Sequence, residues 1–294
     1  MIDLKGIYPP IPTSFTMSGD LDINQMQKNL EHLGKFKLAG FLVLGSNGET
    51  VMLSDLEKIR VYNAARKAIP GHLLMLAGTG GQSTREALVL TKEAANAGAD
   101  AAVVLNPFYY KGLMTQEALV KHYHRIGDES PIPVIIYNMP ANTGLDMTAE
   151  TILAIADHPN IIGLKDSGGN IAKMGEIVEK AKPGFQVLAG SAGFLLPALS
   201  IGAVGGIMAL ANIAPQQCID IHHFYLSGQL EKSRLLQISM ITLNNMVTRE
   251  QGVPALKAAM DLIGLFGGSC REPILPLPDH LRKNLAVLLT SSLT

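Results

Sequence analysis

An excess of either charge is missing from this sequence: 24 Lys and Arg stand against 25 Asp and Glu, for a formal net charge of −1. No unscreened field of one sign is available to recruit nucleic acid or an acidic membrane surface. Cysteine is nearly missing as well. Cys218 and Cys270 are the only two and form no CxxC pair, which excludes a disulfide framework and a structural zinc site and fits a reducing cytoplasm. The N-terminal stretch 1–12 lacks a continuous apolar run, carrying Asp3, Lys5 and three prolines instead, so no signal peptide is expected. Charge is also absent from Pro183 to Ile219, a stretch long enough to cross a bilayer. Pro197, Gly205-Gly206, Asn212 and Pro215 divide it into pieces of strand and short-helix length, and no Lys or Arg cluster flanks it, so a membrane helix is not expected.

What is present is 47% hydrophobic and 17% charged, with 29 glycines, a composition able to bury a sizeable core and incompatible with disorder. The length of 294 residues suits two domains or a single α/β barrel, and pattern has to decide. Short aliphatic runs alternate with amphipathic stretches to beyond residue 220, with strand candidates at 7–15, 40–45, 73–78, 101–107, 133–140, 161–167, 185–191 and 205–212. Ser54 with Glu57 and Ser83 with Glu86 read as capping boxes, and Thr148 as a further helix cap. Runs such as Ala101-Ala102-Val103-Val104-Leu105 are continuously apolar, as parallel strands buried on both faces require. Eight strand-helix units point to a closed (β/α)₈ TIM barrel over residues 1–227, with an open doubly wound sheet as the alternative. Amphipathic stretches at 231–247, 254–264 and 278–289 then form a C-terminal helical region, 228–294, packed on the barrel.

In such a barrel, chemistry is placed at the C-terminal ends of the strands. Here those ends are polar and the strand beginnings are not. Lys165 stands out because it sits inside the apolar run Ile161-Ile162-Gly163-Leu164, whereas other lysines fall on polar helix faces or in turns. An amine buried among apolar groups favours its neutral form, which can attack a carbonyl and make a Schiff base. The competing assignment is an ion pair with Asp166 or another carboxylate at the barrel mouth. Tyr137 ends the neighbouring strand and can offer a phenol to a carbonyl held on Lys165, or can be a buried tyrosine with one satisfied hydroxyl. Gly45-Ser46-Asn47-Gly48 suits a backbone nest for a carboxylate, or a tight turn ahead of the next helix. Gly190-Ser191-Ala192-Gly193 follows strand seven, where many barrels bind phosphate, which leaves a phosphorylated substrate and an isomerase open. His122, His124, His222 and His223 lack metal-site spacing and read as surface helix positions, and no metal is expected. Gly78-Thr79-Gly80-Gly81 is too short for a dinucleotide fingerprint and no Walker lysine follows it. The cluster Phe108-Tyr109-Tyr110 reads as an aromatic plug at the barrel mouth.

With Gly45 to Glu49 as a GxxGE turn, Tyr137-Asn138-Met139-Pro140 and Gly163-Leu164-Lys165-Asp166-Ser167, the whole chain resembles the dihydrodipicolinate synthase and N-acetylneuraminate lyase family of pyruvate-dependent class I aldolases. The resemblance implies that Lys165 forms an imine with the pyruvate ketone, that Tyr137 transfers protons, and that Ser46, Asn47 and the amides around Gly48 hold the carboxylate. It implies no cofactor, small 2-oxo acid and aldehyde substrates, and a homotetramer in which Tyr109 is lent across an interface. Asn47 stands where synthases usually carry a relay threonine, and Asn142 where they carry an arginine. These departures, with Pro140 to Asp146 and Gln186 to Gly193, resemble the branch that cleaves 4-hydroxy-2-oxoglutarate to pyruvate and glyoxylate. Asn142, Ser167 and the amides near Gly190 would then face the distal carboxylate, and Ile207 would border the bound 2-oxo acid. Condensation of pyruvate with aspartate semialdehyde, cleavage of another 2-oxo acid such as a 2-keto-3-deoxy sugar acid, and a non-catalytic ligand-binding barrel remain alternatives.

Overall fold

Eight short aliphatic runs form β1 (Gly6–Tyr8), β2 (Gly40–Val43), β3 (Leu74–Gly78), β4 (Ala101–Leu105), β5 (Val134–Asn138), β6 (Ile161–Asp166), β7 (Gln186–Ala189) and β8 (Gly205–Ile207) in the computed structural model, which describes residues 2–293. All seven ladders are parallel, in the order β1-β8-β7-β6-β5-β4-β3-β2. The seam between β1 and β2 is closed without a ladder. Ala39 and Leu42 donate to the carbonyls of Ile7 and Pro9 at 3.0 Å each, and Ile11 donates to Leu42 at 2.9 Å. Pro9, Pro10 and Pro12 have no N–H to give, so a regular exchange of bonds cannot form there. The result is the (β/α)₈ barrel.

Alternate strand residues serve two cores. Leu42, Leu76, Val103, Ile135, Leu188 and Ile207 fill the barrel interior, whereas Phe41, Met75, Val104, Ile136, Leu164 and Val187 face the surrounding helices. Both sets are buried, which explains why the strands read as continuous apolar runs. Ser54 forms the reciprocal capping box of the helix Asp55–Ala68. Ser83 caps Thr84–Asn96, but Glu86 turns back to the N–H of Gln82, so the second expected box is only half formed. Thr148 caps Ala149–Ala156 as expected.

β1 and β8 are shorter than their apolar patterns. Proline ends the first, and the second gives way to the 3₁₀ turn Ala209–Asn212, whose Asn212 side chain donates to Pro10 and Ala209 carbonyls. The expected helix over 231–247 is divided into Leu230–Ser239, Ile241–Asn245 and a turn of π-helix, Met246–Glu250. There Thr248 bonds back to the Asn244 carbonyl at 2.6 Å. The helices Gly252–Leu262 and Asp279–Leu293 complete the chain.

Candidate active site

Tyr137 and Lys165 are register partners on β5 and β6, which brings both to one height at the C-terminal end of the barrel. The Lys165 Nζ lies 3.8 Å from the centre of the Tyr137 ring, and both side chains are buried. The Tyr137 hydroxyl is 3.1 Å from Ser46 Oγ. Burial alone would push this phenol up, and it is the largest single influence. The charge of Lys165 and hydrogen bonds from Ser46, Lys165 and Ser167 together outweigh it and hold Tyr137 below the ordinary tyrosine value.

Asp166 does not neutralise Lys165. Successive strand residues face opposite sides, and Asp166 turns to Asn138 Nδ2 at 2.8 Å, Lys173 Nζ at 3.2 Å and the amides of Gly168 and Gly169 at 2.8 and 3.2 Å. Among the described residues, no carboxylate lies within ion-pair distance of Lys165, which leaves its amine directed at Tyr137 and not at an acid.

Ser46, Asn47 and Gly48 form a 3₁₀ turn after β2. Glu49 at φ 52°, which ends it, and Leu44 at φ 58°, one residue before its Gly45 cap, are left-handed without being glycine, a costly pair of conformations for side-chain-bearing residues. Thr13 Oγ1 donates to the Gly48 carbonyl at 2.6 Å and ties the turn to the segment after β1. As the first residues of the turn, Ser46 and Asn47 keep N–H groups that the turn itself cannot satisfy. A cleft opens over this corner, with Gly45, Ser46, Val51, Asn106, Phe108 and Tyr137 in its walls.

The remaining expected residues are spread more widely. Ser167 reaches Tyr137, and Gly190 donates its N–H to the Asp166 carbonyl at 2.7 Å, so both belong to the same corner. Ile207 is buried in the barrel interior with Tyr137 and Leu188. Asn142 is exposed on the short helix Pro140–Thr143, where its backbone N–H donates to Met139, and no side-chain hydrogen bond draws it to Tyr137 or Lys165. Tyr109 is 76% exposed, its ring edge-on to Tyr110 at 5.0 Å. Gln82 Oε1 accepts from the amides of Phe108 and Tyr109 at 3.1 and 2.9 Å and holds the aromatic loop in place.

Two sequence expectations are corrected. His122 is buried, not a surface residue: its Nδ1 meets Thr84 at 2.9 Å, and burial pushes it down to about 4, so the ring is neutral. Nor do all other lysines fall on polar helix faces or in turns, since Lys58 and Lys257 are buried on helices. Lys257 sits in Ala255-Leu256-Lys257-Ala258-Ala259, the same apolar-run signal that marks Lys165, and the helical context hid it. No group of three or more His, Cys, Asp or Glu among the described residues could hold a metal ion, and no helix is long and apolar enough to cross a membrane.

Residues 3–292 match the model of the Dihydrodipicolinate synthetase family. The chain is 38% identical over 275 residues to a protein of Emericella nidulans named probable 4-hydroxy-2-oxoglutarate aldolase, mitochondrial, covering 92% of this chain and 89% of that one. It is 33% identical over 283 residues to the 4-hydroxy-tetrahydrodipicolinate synthase of Methanococcoides burtonii, covering 96% of each. Among solved structures, a prophage protein of the dihydrodipicolinic acid synthase family from E. coli K12, in complex with pyruvate, superposes with a TM-score of 0.93 at 30% identity over 99% of both chains.

Proposed function

The chain belongs to the dihydrodipicolinate synthetase family and is a lyase of the class I aldolase type, and from that premise we propose that it cleaves 4-hydroxy-2-oxoglutarate reversibly to pyruvate and glyoxylate through an imine on Lys165. The observation that carries the chemistry is the Lys165 amine against the Tyr137 ring, with Ser46 on the phenol. Lys165 attacks the C2 ketone, and loss of water leaves the imine. Removal of the C4 hydroxyl proton then breaks the C3–C4 bond, the electron pair enters the imine to make an enamine, and glyoxylate departs. Protonation of the enamine at C3 and hydrolysis release pyruvate and regenerate the amine. Tyr137, whose phenol is held below its ordinary value by Lys165, Ser46 and Ser167, is suited to take the hydroxyl proton and return it.

Three observations favour the 4-hydroxy-2-oxoglutarate substrate. The 38% identical relative bears that name, and by the family resemblance Asn47 stands where synthases carry a relay hydroxyl and Asn142 where they carry a carboxylate-gripping guanidinium. A lost charge-assisted hydrogen bond is worth about 1.5–3 kcal/mol, one to two decades of discrimination against aspartate semialdehyde. The several relatives named as synthases support that condensation as the second reading. The exposed Tyr109 and Tyr110 support a closed homo-oligomer, a tetramer by family resemblance, and two free thiols suit a cytoplasmic setting.

The test is incubation with pyruvate and borohydride followed by peptide mapping, then assay of both substrate sets. One reduced pyruvyl adduct on the Lys165 peptide and faster glyoxylate release than semialdehyde consumption are expected. Labelling of another lysine would sink the imine assignment, and preference for the semialdehyde would sink the substrate assignment.

A further inference from the structure

Glu49 and Lys257 are buried charges beside the site that the reaction above does not use. Glu49 closes the Ser46 turn, whereas Lys257 arrives from the helix Gly252–Leu262 in the C-terminal region. The ammonium and a carboxylate oxygen are 2.6 Å apart, with both side chains 1% exposed. Lys257 also donates to the Ser269 carbonyl at 2.7 Å and sits 4.6 Å from the centre of the Phe15 ring. The second Glu49 oxygen accepts the backbone N–H of Arg271 at 2.8 Å.

A buried ion pair is weak evidence for stability, because desolvation cancels much of the attraction. Glu49 adds to that cost a left-handed backbone. Two unfavourable features meet in one residue, at the end of the turn whose other end carries the hydroxyl bonded to Tyr137. Such an arrangement persists where its surroundings over-determine it, and strain of this kind collects at functional sites. From these contacts we propose that Glu49 and Lys257 are positioning residues: the pair locks the Leu44–Glu49 turn so that Ser46 meets Tyr137 and the turn can receive the carboxylate of the 2-oxo acid. The C-terminal helical region is thereby part of the binding site without touching substrate. The inference rests on the Lys165 reading above.

The experiment measures borohydride trapping on Lys165 against pyruvate concentration in wild type, Lys257→Met and Glu49→Gln/Lys257→Met. The single variant leaves Glu49 buried and unpaired and is expected to melt at a lower temperature. The double variant removes both charges and is expected to recover the wild-type melting temperature. Its half-saturating pyruvate concentration should nevertheless rise on the order of 10- to 100-fold, the scale on which groups behind ligating residues act. A double variant with wild-type half-saturation overturns the proposal, as does one whose saturated rate falls in step with its melting temperature. Absence of Lys165 labelling in the wild type would instead overturn the imine reading.

Discussion

In the reaction proposed above, Tyr137 concentrates the chemistry at the residue scale because its hydroxyl and its ring make separate contacts: the ring packs on Lys165 and the hydroxyl meets Ser46. Tyr137→Phe keeps the first contact and removes the second, and turnover should fall by about 10²-fold or more, as for a lost general acid or base. Unaltered turnover with unaltered melting would assign the proton transfer to another group. The phenol is held below its ordinary value and acts first as a base, so the limb of the pH-rate profile on which cleavage rises with its deprotonation should lie below about pH 10, where a free tyrosine titrates. Ser46→Ala removes one of the bonds favouring the anion and should move that limb to higher pH. The burial of Lys165 on a strand was legible in the sequence because it interrupts a strand-like apolar run. Lys257 has the same signature and was not, because on an amphipathic helix one lysine among alanines reads as the polar face.

At the scale of elements, the strands β2 through β7 were legible within a residue or two, since each is a bounded aliphatic run buried on both faces. β1 and β8 were overextended because apolar pattern alone does not separate a buried strand from a buried turn. The junction of β6 and β7 shows what pattern also cannot carry. A Cβ at Gly190 would fall on Ser167 Oγ and lie 2.6 Å from the Asp166 carbonyl, so this glycine is demanded by close approach and not by a turn conformation. Gly190→Ala should lower stability by about 1–3 kcal/mol, the usual cost of overpacking, and displace Ser167 from Tyr137 with loss of trapping rate. Urea unfolding and the pyruvate-borohydride assay read the two effects, and an unshifted midpoint would show that the junction can open.

Across the whole molecule, Arg271 clasps the C-terminal region to the barrel through Glu57 at 2.6 Å and the carbonyls of Gly19 and Met52 at 2.7 and 2.9 Å. The guanidinium bond is the main reason that Glu57 is lowered from 4.5 to about 2. A carboxyl depressed in the folded state contributes stability above its unfolded value and loses it as pH falls toward the folded one. The stability gap between wild type and Arg271→Ala should therefore be full at neutral pH and narrow between about pH 4.5 and pH 2. Denaturant midpoints at several pH values measure it, and a gap independent of pH would place the loss in packing alone. None of these long-range ties was legible in the sequence, since Glu57 reads there only as the capping partner of Ser54 and Arg271 as an ordinary polar residue until the fold brings them together.

The strand order has a consequence for synthesis. β1 ladders with β8 and not with β2, so the first strand to leave the ribosome is the last to find its ladder partner. β2 through β7 can pair in the order they are made, whereas Gly6–Tyr8 waits for Gly205–Ile207 to emerge. The Ser46 turn waits longer, for Lys257. On the positioning role proposed for Glu49 and Lys257, translation separates barrel closure from the seating of the turn, and a nascent chain has its ladders before it has the contact between that pair.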